Sequence, residues 1–341
     1  MENTTLIGKT QDELEELVRS AGSPSYRGRQ IYRWIYVSGV RDYDEMHTIP
    51  GSLRQHLAAA GPLHPLTSHL VTGDLADGSQ KFLFTLSDGK QVESVLMKEK
   101  KRLTVCVSTQ VGCAVNCSFC ATAAMGFHRN LTAGEIVDQV LQIQHYSGAK
   151  ISNVVFMGMG EPFLNYDHVL QAADLLHDPD GMNLGNRRIT ISTAGIIPGI
   201  RRFTKEKRLY KLAISLNATS DEQRRDIMPL TKKYPITTLL PVVQKYYQVL
   251  RHQVTFEYVL LDRFNDTPGD ARRLIRMIGR LPCKVNIIPY NEIGGNFRRP
   301  APERMTTFLD TLRPAPFTVT VRWSKGTDIK AGCGQLATEY T

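Results

Sequence analysis

The chain has 341 residues, 42% apolar and 22% charged, with a formal net charge of +9. No apolar run approaches the ~18 residues of a membrane span, and Met1-Glu2-Asn3-Thr4 does not read as a signal peptide. A cytoplasmic protein that does not enter the membrane is therefore expected, and its excess of Lys and Arg is compatible with a polyanionic partner.

Residues 1 to about 60 read as a helical unit. Thr10-Gln-Asp-Glu13 is a capping-box pattern, followed by Leu14, Leu17 and Val18 at helical spacing. A second helix carries Tyr26 to Tyr36, with Ile31, Trp34 and Ile35 expected in the core. Arg27, Arg29 and Arg33 interleave with tyrosines on another face, a pattern that suits phosphate contact and base stacking; a plain packing face is the competing reading.

Residues 61–100 read as a β-meander or linker, with strands Gln80–Leu86 and Gln91–Met97 around Asp88-Gly89, a dipeptide that favours a tight hairpin. Strand alternation puts Glu93 opposite Val92, so a solvent-facing glutamate is the simplest expectation there.

From about residue 101 to the end, strands alternate with helices. The strand-like runs are Leu103–Ser108, Asn153–Met157, Arg188–Ser192, Tyr210–Leu216, Val254–Leu260 and Lys284–Ile288, with Phe317–Arg322 near the end. A helix from Thr132-Ala-Gly-Glu135, a second capping box, to about Tyr146 is one of the connections. The α/β alternation predicts a parallel sheet, short of a closed eight-fold barrel, with a (β/α)6 partial barrel fitting the count.

The first of these strands leads directly into Cys113, Cys117 and Cys120, spaced C-x3-C-x2-C. Three thiolates on one loop can converge on a soft metal centre. Four-iron clusters normally take four cysteines, so three would leave one iron open to another ligand. The competing reading is zinc with a remote fourth ligand such as His128 or His145.

Polar or glycine-rich turns follow the later strands: Met157-Gly-Met-Gly160-Glu161-Pro162, Ile191-Ser192-Thr-Ala-Gly195, Ile214-Ser215-Leu216-Asn217-Ala218 and Ile287-Ile-Pro-Tyr-Asn291. Their recurrence on one rim predicts a ligand site where α/β barrels carry their chemistry. Of the other cysteines, Cys283 reads as core. Cys106 lies in the first barrel strand. Cys333, between Gly332 and Gly334, reads as a thiol on a mobile loop that suits a nucleophile.

The cysteine loop resembles that of the radical S-adenosylmethionine (SAM) enzymes. Taken with Cys106–Cys113, Gly126–Leu131, Met157–Pro162, Ile214–Leu216, Phe256–Asp262, Asn286–Pro289 and Ala331–Leu336, the chain resembles the adenine-C2 RNA methyltransferases of the RlmN family, with the resistance enzyme Cfr as a neighbour. That resemblance implies a radical SAM barrel carrying a [4Fe-4S] cluster on Cys113, Cys117 and Cys120. It implies SAM contacts at Gly160, Glu161, Ser192, Ser215, Leu216, Asn217 and Asn291, with two SAM molecules used per turnover. One methylates Cys333; the other yields the 5′-deoxyadenosyl radical that takes hydrogen from the S-methyl group. The methylene radical then adds to adenine, Glu93 accepts a proton, and Cys106 resolves the adduct, leaving a transient disulfide with Cys333. The implied substrates are 23S rRNA in the peptidyl-transferase region and, in some members, tRNA at the adenine 3′ of the anticodon. An external electron donor and a monomer are also expected. C8 stays open as the target carbon, and Asn217 stands where the family usually has histidine.

Overall fold

The structure is a computed structural model describing residues 5–338. Helix α1 (Gln11–Ser20) starts at the predicted capping box: the Thr10 hydroxyl accepts the Glu13 amide, and the Glu13 carboxylate accepts the Thr10 amide. Helix α2 (Tyr26–Arg33) runs into a π-helical turn, Trp34–Ser38, ending at left-handed Gly39. Helix α3 (Gly51–Ala60) follows. Ile31 and Ile35 are buried as expected, with Trp34 half-buried against them.

Two tyrosines correct the expectation of a stacking face. Tyr32 and Tyr36 are core residues, because their rings have apolar surroundings and their hydroxyls find internal acceptors. Tyr32 donates to Asp178 Oδ2 at 2.6 Å, and Tyr36 to the Lys9 carbonyl at 3.1 Å. Tyr26 stays exposed, with the Arg27 guanidinium over its ring.

Strands β1 (Thr67–Thr72), β2 (Ser79–Thr85) and β3 (Gln91–Glu99) form an antiparallel meander. Its second hairpin turns at Asp88-Gly89 as predicted, with Gly89 at φ +79. The meander is continuous with the barrel sheet, since β3 pairs antiparallel with β4 (Arg102–Cys106). A separate ribbon, β5 (Gln110–Gly112) with β6 (Phe127–Asn130), brackets the cysteine loop and a short helix, α4 (Ala121–Ala124).

The main sheet resumes with β7 (Asn153–Phe156), β8 (Ile189–Thr193), β9 (Lys211–Ser215), β10 (Val254–Leu260), β11 (Cys283–Pro289) and β12 (Thr318–Val321). Its spatial order is β1-β2-β3-β4-β7-β8-β9-β10-β11-β12, parallel from β4 onward. All the predicted barrel strands are present, and the predicted terminal strand becomes β12. The intervening helices are α5 (Ala133–Ser147), α6 (Tyr166–His177), α7 (Ile197–Lys205), α8 (Asp221–Ile227), α9 (Ile236–Leu250), α10 (Pro268–Ile278) and α11 (Pro302–Leu312). Helical crossovers between neighbouring parallel strands leave every C-terminal strand end on one rim.

The N-terminal region docks on α5 and α6 through Gly8, Tyr32 and His64. Gly8, at φ +102, lies so close to Gly134 that a Cβ on it would sit 2.5 Å from the Gly134 nitrogen. Gln171 donates to the Gly8 carbonyl at 3.0 Å. Fully buried Asp138 accepts the Leu66 amide and pairs with His64, whose other ring nitrogen lies 3.1 Å from the Val40 carbonyl.

Candidate active site

The cysteine loop leaves the β5–β6 ribbon through a point of close backbone contact. At Gly112, φ +72, a Cβ would meet the Gly126 carbonyl oxygen at 1.8 Å, so only glycine fits. The Cys113 amide donates to that same carbonyl at 2.8 Å, and the Ser118 amide donates to Ile227 O at 3.0 Å, bracing the loop on α8. Cys113, Cys117 and Cys120 all line one cavity at the barrel mouth.

Among the described residues, no group of three His, Cys, Asp or Glu side chains is set for a single metal ion. A tetrahedral zinc site needs its donors about 2.0–2.3 Å from one centre; neither His128 nor His145 completes one here. Three thiols facing a shared cavity fit a multi-iron cluster, in which each sulfur meets a different iron. Burial pushes the Cys113 thiol up to about 12 and raises Cys117 and Cys120 as well. Thiols so held would give up their protons only to a soft metal.

The remaining rim residues converge on the same cavity. Gly160, at φ +99, approaches Gln110 so closely that a Cβ would lie 2.6 Å from the Gln110 Cβ. Glu161 is buried there and accepts the Ala194 amide at 2.6 Å and the Phe163 amide at 3.0 Å. Burial outweighs those bonds and pushes its carboxyl up to about 7. Ser192, Ser215, Asn217 and Asn291 line the cavity with Gly160 and Glu161, while Leu216 lies fully buried in the core behind them. Asn217 sits at φ +57 and accepts the Val259 amide at 2.9 Å. Asn and His are both enriched in the left-handed region, which gives the exchange of one for the other at this turn a backbone reason.

Cys333 lines the cavity on a loop that is tethered. Its carbonyl accepts from Asn291 Nδ2 at 3.0 Å, and the Gly334 carbonyl accepts the Ala121 amide at 2.7 Å. The Thr122 hydroxyl donates to the Leu336 carbonyl at 2.5 Å. The loop thus docks on the chain just after Cys120. Cys106 is buried at the end of β4, and both thiols are free. Burial first, then the neighbouring Cys333 thiol, push Cys106 up to about 12.

Glu93 corrects the expectation of a solvent-facing side chain. It is 5% exposed, because β3 is covered on both faces over most of its length and the C-terminal segment lies against this side chain. Lys81 Nζ lies 2.7 Å from Oε1, and the Ala337 amide donates to Oε2 at 3.0 Å. Burial nevertheless raises its pKa above the ordinary glutamate value.

Three residues not singled out from the sequence belong to this region. Arg322, just beyond β12, donates to Met157 Sδ at 3.4 Å; its pKa is raised chiefly by the Cys333 thiol, with Glu257 and Cys106 adding to it. Glu257 on β10 accepts from Asn286 at 2.9 Å through Oε1, while its buried Oε2 has no partner, leaving an acceptor beside the cavity for a ligand. Arg224 on α8 is fully buried behind the strand ends. In sequence the first two sit in strand-like runs and the third in the charged stretch Ser220-Asp-Glu-Gln-Arg-Arg-Asp226, which reads as a solvated helix.

Comparison with known proteins agrees with this architecture. The Radical SAM superfamily matches residues 107–275, and the Ribosomal RNA large subunit methyltransferase N-terminal domain matches residues 4–61. A probable dual-specificity RNA methyltransferase RlmN from Symbiobacterium thermophilum is 45% identical over 97% of this chain and 90% of its own length. The dual-specificity RNA methyltransferase RlmN of Syntrophobacter fumaroxidans is 43% identical over the whole of both chains. The crystal structure of a radical SAM methyltransferase from Sphaerobacter thermophilus superposes with a TM-score of 0.95 at 45% identity, covering 98% of this chain and 100% of that one. With the cysteine loop, the parallel sheet and the N-terminal helices all accounted for, the chain belongs to the RlmN family of radical SAM RNA methyltransferases.

Proposed function

We propose that the protein methylates C2 of an adenine in the peptidyl-transferase region of 23S rRNA and of the adenine 3′ of the anticodon in tRNA, through a methyl group first carried on Cys333. The observation that carries this reading is the gathering of Cys333 with Cys113, Cys117 and Cys120 around one cavity, with Cys106 near enough to feel the Cys333 sulfur and Glu93 bonded to the same C-terminal segment. The "dual-specificity" in the relatives' names supports two kinds of RNA substrate.

On this reading Cys113, Cys117 and Cys120 hold a [4Fe-4S] cluster, and Gly160, Glu161, Ser192, Ser215, Asn217 and Asn291 surround SAM, with Leu216 packed behind them. When bound and reduced by an external donor, the cluster and SAM would supply radical chemistry, and Cys333 would present its methyl group to it. Cys333 accepts that methyl group from a first SAM, so two are used per product, and then tethers the adenine. Glu93, its carboxyl raised by burial, takes the proton from the ring carbon. The ring adduct's unpaired electron would pass back to the oxidised cluster as that proton leaves. The Cys106 thiolate then attacks the Cys333 sulfur, the S–S bond forms as the S–CH2 bond breaks, and the departing methylene carbon keeps the electron pair and takes up a proton to become the methyl group. Residues 1–60, with Arg29 and Arg33 exposed, hold RNA; 61–100 extend the sheet, and 101–341 carry the chemistry in a single chain acting as a monomer.

Mass mapping of modified adenines in rRNA and tRNA from a strain lacking the gene tests this. Loss of C2-methyladenine from both RNAs is expected. Loss of a C8 methyl group instead, or no loss from either RNA, overturns it.

A further inference from the structure

Arg224 is a fully buried cation bonded to neutral acceptors alone. Its Nε donates to the Leu216 carbonyl at 3.0 Å. Nη1 donates to Thr231 Oγ1 at 3.1 Å and to the Tyr234 carbonyl at 3.4 Å, and Nη2 to the Ser215 carbonyl at 3.0 Å and the Ala194 carbonyl. Those bonds use every N–H of the guanidinium, so it has no donor left for a substrate. Among the described residues no carboxylate pairs with it directly. The groups acting on its charge are the Cys117 thiol first and Asp221 second, and Asp221 is engaged by the Ile236 amide at 2.5 Å. Burial lowers the Arg224 pKa only to about 10, so the guanidinium is charged at neutral pH.

A buried charge without a partner is strongly unfavourable, and carbonyl dipoles alone seldom justify an arginine where a neutral side chain would serve. Geometry says where the missing negative charge belongs. The Ala194 and Ser215 carbonyls that Arg224 bonds come from residues lining the cavity shared by Cys113, Cys117 and Cys120, and the Ser118 amide beside Cys117 donates to Ile227 O at 3.0 Å on the helix that carries Arg224. A four-iron core held by three thiolates is net negative, and becomes more so when it takes up one electron. We propose that Arg224 is the fixed counter-charge of the cluster held by Cys113, Cys117 and Cys120 and makes its one-electron reduction easier. This rests on reading those three cysteines as the cluster ligands. The electron comes from the external donor; no bond or proton changes at Arg224, whose charge interacts more favourably with the reduced form. Arg224 is thus a positioning residue, acting on reduction through the field it sets at Cys117.

The test uses full-length Arg224→Gln and Arg224→Lys proteins, reconstituted anaerobically with iron and sulfide, without SAM or RNA. Iron per chain is measured first; a redox titration followed by electron paramagnetic resonance then reads the reduced-to-oxidised ratio. At the wild-type midpoint the Lys variant is expected to keep that ratio, while the Gln variant falls about tenfold, equivalent to about 59 mV for a one-electron couple. An iron-replete Gln variant with the wild-type ratio overturns the proposal. Wild-type protein that holds no iron overturns the ligand reading instead. If the Gln variant cannot hold iron, the Lys variant decides: an unchanged iron content and ratio support the counter-charge, and loss of either shows that the hydrogen-bonded fork matters rather than the charge.

Discussion

The Glu93 carboxylate accepts the Ala337 amide at 3.0 Å, tying the third strand of the meander to the chain just beyond Cys333. The carboxyl is raised above its ordinary value by burial, with Lys81 opposing that shift. The folded protein therefore binds this proton more tightly than the unfolded chain does. Its ionisation subtracts stability as pH climbs from the ordinary glutamate range to the raised value, while the same ionisation creates the proton acceptor. Product formation is expected to rise through that window and level off above it. In Glu93→Gln the rise should vanish and RNA–protein adduct accumulate; a Gln variant with the wild-type pH profile would remove Glu93 from the reaction.

Cys333 and Cys106 should fail at different points. Cys333→Ala is expected to take up no methyl group and make no product. Cys106→Ala should still be loaded and still capture RNA, then stall with the RNA joined to Cys333. Denaturing gels followed by nuclease digestion and peptide mass analysis read the link. Normal turnover by Cys106→Ala would refute the two-cysteine scheme for this protein.

At Asn217 the backbone, at φ +57, decides what is tolerated. Asn217→His is expected to keep SAM affinity within about threefold, since histidine accepts the left-handed turn and its ring can still take the Val259 amide. Asn217→Val should lower stability by about 2–3 kcal/mol, combining left-handed strain with an orphaned amide. Denaturant unfolding and SAM titration measure the two. Equal stability of the Val and His variants would contradict this account.

Arg29 and Arg33 are exposed on α2, whereas Arg27 donates to the Thr48 carbonyl at 2.7 Å. Changing Arg29 and Arg33 together to glutamate should weaken RNA binding and flatten its dependence on log salt by roughly 0.7–0.9 for each phosphate no longer neutralised. SAM cleavage by the reduced enzyme should be unaffected. Deleting residues 1–60 is a poorer test, because it would strip the cover from Gly134 and leave Asp178 without its tyrosine partner. An unchanged salt slope in the double variant would place RNA elsewhere.

The periodicities that revealed the barrel strands are local, so they survive without knowledge of neighbours. Alternation misplaced Glu93 because it presumes one wet face, whereas Lys81 of β2 and the distant C-terminal segment at Ala337 close over this side chain. Tyr32 and Tyr36 read as a stacking surface since neither the Asp178 acceptor nor the Lys9 carbonyl is visible from within α2. The cysteine loop and rim turns were legible as motifs of fixed spacing. Arg224 and Glu257 were not: their acceptors and neighbours come from strand ends far apart in the chain.

The docking of the Cys333 loop also bears on how the enzyme meets air. Any excursion of Cys333 must release Ala121 from Gly334 and Thr122 from Leu336, the residues that directly follow Cys120. On the proposed reading the segment would act as a stopper over the cluster-binding sulfurs, in place only while the thiol is in place. Oxygen damage should then be fastest when the stopper is out, and the decay of iron absorbance under air becomes a clock for how often the loop leaves its seat.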